Sequence, residues 1–306
     1  MRAHASRRPS VAVIIVALAM AMIAQQVTLA AVDARTDDTA KPVIFLHGYD
    51  GTRCEADWGF LLNNMRASGW TGMFYIPKYA STDASCTARP SMAMGCMSCF
   101  GSHTHWFGHS GTTHSQNTSI RHLAWHLANY ISTNFSSKGI AVDVVAHSMG
   151  GLLIRYALAK QGVDSFPRLL VEDVVTLGTP HSGAHFAVLA GTTQGAEMDA
   201  TSTLIAWLKQ AAMKPQGTGG TDWSTIGSHG DLLVRPETAT AMSAPHRWRY
   251  TTSPSWILHG DYMKSSSETS TRRAQYPCVS TPGAWCETST HYPVQMIRAA
   301  VRYGTH

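Results

Sequence analysis

The stretch Ile140-Ala141-Val142-Asp143-Val144-Val145-Ala146-His147-Ser148-Met149-Gly150-Gly151-Leu152-Leu153 decides how the rest of the chain is read. Its first half is β-branched and nearly continuous in apolar residues, as expected of a strand covered on both faces. Its second half, from Gly150 to Lys160, has the composition of a helix. The two meet at Ala146-His147-Ser148-Met149-Gly150, where a serine stands between small residues two before and two after it. A strand that turns at once into a helix brings two backbones close together, so those positions must be small. The turn then holds the serine in a strained conformation with its oxygen above the sheet. The serine also opens a helix, where free amides favour negative charge.

Outward from this turn, short apolar runs alternate with helical patterns. Pro42–Leu46 reads as a buried strand ending at His47-Gly48, and Met73–Ile76 as a second, stopped by Pro77. Asn117 or Ser119 can cap a helix with apolar residues at Ile120, Leu123, Leu127, Tyr130 and Ile131. Further strands are expected at Val171–Leu177, Trp223–Ile226 and Ser255–Leu258, and a closing helix at Pro293–Arg302. This alternation predicts an α/β fold with a mostly parallel central sheet and helices on both faces. Residues 80–116 and 184–221 interrupt it as irregular insertions in one domain spanning 42–306.

The chain has 306 residues, enough to bury a large core without staples. Only 14% are charged, against about 25% in an average domain. Arg2, Arg7 and Arg8 lie in the first thirty residues without Asp or Glu, and leaving them out takes the net charge from +5 to +2. That balance carries no basic stripe and excludes a nucleic-acid binder. The same three arginines precede the apolar run Val11–Ala24 and the small residues Thr28-Leu29-Ala30, the pattern of a signal peptide over 1–30. Residues 31–41 read as a loose mature N-terminus. Export favours disulfides among the six cysteines, whose 15 pairings the sequence does not decide. Cys278 and Cys286 bracket a turn-rich run and are expected to pair. Cys54 with Cys86 and Cys96 with Cys99 would complete the set.

With the turn at Ser148 go Phe45-Leu46-His47-Gly48-Tyr49, Gly151-Leu152-Leu153-Ile154-Arg155-Tyr156-Ala157 and Val174-Val175-Thr176-Leu177-Gly178-Thr179-Pro180-His181-Ser182-Gly183. On these segments the chain resembles the α/β-hydrolase superfamily, and within it secreted bacterial lipases and esterases with the Ala-His-Ser-Met-Gly form of the nucleophile turn. The likeness spans about residues 42–303 and is weakest in the two insertions; Ala146 departs from the usual glycine.

The resemblance implies a carboxylic-ester hydrolase with Ser148 as nucleophile and the backbone amides of Tyr49 and Met149 as oxyanion donors, fixed where acyl transfer builds negative charge. The acid should follow in the order Ser, Asp, His. Asp231 lies beyond the C-terminal edge of the expected strand at Trp223–Ile226, where ligands sit in such sheets; Glu237 and Asp222 are rivals. His291, on the loop before the last helix, is the expected base, with His259 in Leu258-His259-Gly260-Asp261 as the alternative. Leu204, Ile205, Trp207, Leu208, Ala211 and Ala212 form an apolar stripe, which either packs on the sheet or covers Ser148 as a lid with Trp207 in the acyl pocket.

Cys96-x-x-Cys99 with His103 and His105 has metal-ligand spacing, but export favours a disulfide there. His122 and His126, four apart on one helix face, read as surface histidines. No cofactor or metal is expected. The implied protein is a secreted monomer that meets an ester or lipid substrate and touches a lipid surface transiently. An acyltransferase or polyester depolymerase on the same three residues, and a catalytically silent binding protein of the same fold, are the alternative functions.

Overall fold

A computed structural model describes residues 38–303 except 52, 80–82, 84–113, 211–219, 253–255, 268–269, 280 and 282. The 1–30 leader, the zinc-like pattern at 96–105 and Cys86, Cys96 and Cys99, with the pairings expected of them, lie outside the described residues.

The strand read at 140–146 is β3 (Val142–His147), and it pairs in parallel with β1 (Val43–Leu46) on one side and β4 (Val171–Leu177) on the other. β2 (Phe74–Tyr75) flanks β1, and β5 (Asp222–Ser228) and β6 (His246–Tyr250) extend the parallel array beyond β4. Antiparallel β7 (Arg272–Pro277) and β8 (Trp285–Thr290) complete one eight-stranded sheet of order β2-β1-β3-β4-β5-β6-β7-β8.

The pleat explains why these strands are apolar throughout. In β1, Ile44 and Leu46 enter one core while Val43 and Phe45 enter the other; in β3, Val144 and Ala146 part from Val145 in the same way. Successive side chains of a strand point to opposite faces, so a sheet covered on both needs apolar residues at every step. On the first face lie α2 (Ile120–Asn134) and α3 (Met149–Lys160), with Leu123, Leu127, Leu152 and Leu153 buried. On the second lie α1 (Glu55–Ala67) and α7 (Pro293–Tyr303), with Leu61, Met65, Ile297 and Val301 buried. Ser119 caps α2 through its side chain, which accepts from the Arg121 amide.

The sheet corrects the sequence reading in four places. The strand expected at 255–258 is not there: 256–258 are irregular, and the corresponding strand is β6, whose charged residues His246, Arg247 and Arg249 hid it. The hairpin β7–β8 was not foreseen; its Cys278–Cys286 disulfide, expected from spacing, is present with Cα atoms 5.1 Å apart. The end of the supposedly loose 31–41 segment is packed: Lys41 is buried and paired with Glu172 and Asp143. His122 and His126 are each 1% exposed, not surface residues.

The insertion after β4 contains a 3-10 turn at His185–Ala190, then α4 (Thr193–Met198) and α5 (Thr203–Leu208). A short helix α6 (Pro236–Ala239) follows β5. No helix among the described residues is long and apolar enough to cross a membrane.

Candidate active site

Ser148 sits between β3 and α3 with φ 54° and ψ −127°, a conformation that costs a non-glycine residue about 1–3 kcal/mol. The surroundings enforce it. The Ser148 amide donates to the Leu177 carbonyl (2.9 Å), and Thr179 Oγ1 donates to the Ser148 carbonyl (2.9 Å). A Cβ on Gly150 would lie 2.6 Å from the His47 carbonyl oxygen, and one on Gly48 would lie 2.9 Å from the Ser148 Cβ. The small residues around the turn are thus required by the close passage of β1, its exit loop and α3.

The exit loop of β1 brings Tyr49 beside the serine. His47 is buried, stacked on Tyr79 at 3.7 Å, with Nε2 2.9 Å from Asp83 and Nδ1 2.7 Å from the Gly48 carbonyl. It shapes the loop. Tyr49 is held at its hydroxyl by Thr192 Oγ1 (3.0 Å) and at its carbonyl by Gln116 Nε2 (3.4 Å). Met149 is the first residue of α3, so its amide is one of those a helix leaves without an internal partner.

Asp231 lies in the loop after β5 and is buried. Its Oδ1 accepts from the amides of Leu233 and Val234, both at 2.9 Å. Its Oδ2 accepts from the Tyr262 hydroxyl (3.1 Å) and faces His259 Nδ1 at 2.7 Å. Burial and the neighbouring carboxylate push the Tyr262 phenol well above its ordinary pKa, so it stays a donor. Gly178, at φ 55°, leaves room for this group: a Cβ there would come within 2.9 Å of Asp231 Oδ2 and 3.1 Å of His259 Nδ1.

His259, rather than His291, meets Asp231. His291 is exposed at the end of β8, and its carbonyl accepts from the Tyr250 hydroxyl (2.6 Å). β8 is five strand positions from β3, or about 24 Å at the usual spacing. The hairpin β7–β8 carries the last loop outward, whereas the loop after β6 turns back over the sheet with His259. Of the rival acids, Asp222 starts β5 and pairs with His246 (3.3 Å), and Glu237 pairs with Arg249 (3.8 Å).

His147 had been given no role. Its Nε2 lies 2.7 Å from the His259 carbonyl, which can only accept, so that nitrogen carries the proton. Desolvation, with His259 as a further cause, lowers its pKa to about 3, so the ring is neutral at physiological pH. It fixes the backbone of His259 from the residue preceding the serine.

Ser148 and His259 line a single cavity of about 550 Å³ with Gly48, Tyr49, Leu233 and Met263. Pro180 and, from the insertion, Ala184, Ala187, Ala190 and Met198 supply an apolar wall. Trp207 is not among the lining residues. It packs on Tyr156 (5.0 Å) and under Lys160 at the far end of α3, while Leu204, Ile205 and Leu208 join the core. In α5 these residues pack, while Ala211 and Ala212 of the same stripe lie outside the described residues; the wall of the cavity comes from the residues before α5.

A family described as "Domain of unknown function (DUF7379)" matches residues 102–234. No curated protein matches the chain. Among solved structures, phospholipase PlaB from Legionella pneumophila in complex with thio-NAD is 16% identical at a TM-score of 0.37, with 61% of this chain covered and 37% of that one. The chain thus spans little more than a third of that phospholipase. Bacillus licheniformis lipase BlEst2 in mature form is 14% identical at a TM-score of 0.43, covering 76% of this chain and 89% of that one. Aspergillus fumigatus lipase B is 15% identical at 0.44, covering 75% and 51%. The order of its own sheet, and the serine turn that joins β3 to α3, give this chain the α/β-hydrolase fold.

Proposed function

We propose that the protein is a serine carboxylic-ester hydrolase, lipase- or esterase-like, acting through Ser148, His259 and Asp231. The observation that carries this reading is the 2.7 Å contact of the buried Asp231 carboxylate with Nδ1 of His259, a residue that lines the same cavity as the strained serine. His259 takes the place first given to His291.

His259 Nε2 takes the Ser148 proton as Oγ attacks the ester carbonyl. The resulting oxyanion is met by the amides of Tyr49 and Met149, each donor worth about 2.7–4 kcal/mol in comparable enzymes. His259 then protonates the departing alcohol, leaving an acyl-enzyme. Water, deprotonated by the same ring, attacks that ester and releases the acid and free Ser148. Asp231 holds the ring in the tautomer that leaves Nε2 able to accept.

The apolar wall supports an ester with an acyl chain as substrate. The exposed Leu233, which lines the cavity, and the exposed Leu189, Trp256 and Leu258, each within three residues of a lining residue in sequence, support transient contact with a lipid surface. The disulfide at Cys278–Cys286 and the lack of free cysteine among the described residues support export. The test is hydrolysis of a ladder of nitrophenyl esters. His259→Ala should lower kcat/KM by about 10⁴-fold or more, and His291→Ala by less than about threefold. Full activity in the His259 variant overturns the assignment.

A further inference from the structure

His114, His122 and His126 lie on the core side of α2 and take no part in the proposed chemistry. They are 3%, 1% and 1% exposed. His122 and His126 are one turn apart on the helix, and His114 approaches from the segment leading into it. His122 Nε2 lies 3.2 Å from His114 Nε2 and 3.0 Å from His126 Nε2, and the three side chains bring one ligand nitrogen each within 4.8 Å of one another. The ring planes are mutually tilted by 48°, 68° and 76°, like blades around an axis.

An imidazole nitrogen carries either one proton or one lone pair. His122 Nε2 therefore cannot make two linear hydrogen bonds to two neighbouring Nε2 atoms. A single cation accepts all three lone pairs at once. Zinc bound tetrahedrally at 2.0–2.1 Å requires nitrogens about 3.3–3.4 Å apart, so the two spacings at His122 need open by only a few tenths of an ångström to seat it. Neutral imidazole suits zinc, and three histidines with a fourth position for water are a known zinc ligand set.

We propose that His114, His122 and His126 bind one zinc ion, a site distinct from Ser148. The ion would clamp the 114–118 segment onto α2. That segment reaches the reaction site: Gln116 Nε2 donates to the Tyr49 carbonyl, and Gln194 Nε2 donates to the carbonyls of Ser115 (3.0 Å) and Thr118 (3.1 Å). Zinc therefore stabilises the loop that bears an oxyanion amide without touching substrate.

The test uses the full chain, stripped with EDTA and dialysed against ZnCl₂. The wild type should retain one zinc per chain by elemental analysis. Its Tm should rise by about 5 °C at a hundredfold excess over Kd. His114→Gln, His122→Gln and His126→Gln should each lose the retained zinc and the shift. X-ray absorption on the zinc-loaded wild type needs no variant to fold. It should give three nitrogen neighbours near 2.0 Å and no sulfur shell near 2.3 Å. No retained zinc in the wild type, retention in all three variants, or a sulfur shell would each overturn the proposal. None of these readouts depends on ester hydrolysis, so the site and the triad fail separately.

Discussion

At Ser148 a φ of 54° sits on a residue with a Cβ, and only its surroundings hold it there. Glycine adopts such a conformation without the steric cost. Ser148→Gly should therefore melt a few degrees above Ser148→Ala, though both are inactive; equal melting temperatures would mean that the turn stores no strain. His147 gives a second test. Its folded pKa, near 3, lies below the ordinary histidine value. Between about pH 3 and 6.5 the unfolded chain binds a proton there that the folded chain refuses, so stability rises with pH across that window and is lost on acidification. The slope is no more than about 1.4 kcal/mol per pH unit, and less because the ring is partly open to solvent. His181 is lowered by burial and by Arg155 and adds in the same direction. Melting curves from pH 4 to 7 should be flatter in His147→Gln than in the wild type; parallel curves would remove His147 from the account.

The elements show which parts of the fold were legible. Val171–Leu177 was read from the sequence with the bounds of β4, and the turn at Ser148 with both its neighbours, because a doubly covered strand and a strand-to-helix turn leave local compositional marks. β6 was not legible: it lies toward the edge of the parallel array and carries His246, Arg247 and Arg249 partly exposed, so its composition is that of a polar loop. The histidine that meets Asp231 was not legible either. Chain order placed the last loop before the last helix, and only the sheet reveals that β7 and β8 intervene. The alternative, His259 in Leu258-His259-Gly260-Asp261, was in view but needed the contact with Asp231 to be chosen. Cys278→Ser with Cys286→Ser should cost up to about 3 kcal/mol, the loop-closure value for so short a ring, and leave kcat unchanged because the hairpin is remote from Ser148. A comparable loss of kcat would show that the hairpin supports the site. In α5, Trp207→Ala should lower Tm while activity on acetate and long-chain esters keeps its ratio. Ala187→Phe, in the cavity wall, should lower long-chain activity more than acetate activity; the opposite pattern would return α5 to the role of lid.

For the molecule as a whole, the parallel strands bring loops after β1, β3, β5 and β6 to one edge, where Tyr49, Ser148 and His259 line one cavity and Asp231 contacts His259. Lys41 is buried in a pair with Glu172, while the cavity at that edge is lined by apolar side chains such as Leu233 and Met198. Leu189→Asp with Leu233→Asp should therefore depress hydrolysis of emulsified esters more than of dissolved ones. Equal depression would remove lipid contact from the reading. The central claim is that one serine, activated by the His259–Asp231 pair, carries the acyl group. Labelling the folded protein with a fluorophosphonate and mapping the adduct by mass spectrometry tests it most directly. The account predicts one adduct per chain on Ser148, forming at least a thousandfold more slowly in His259→Ala; an adduct on another residue, or none in a folded sample, would contradict it.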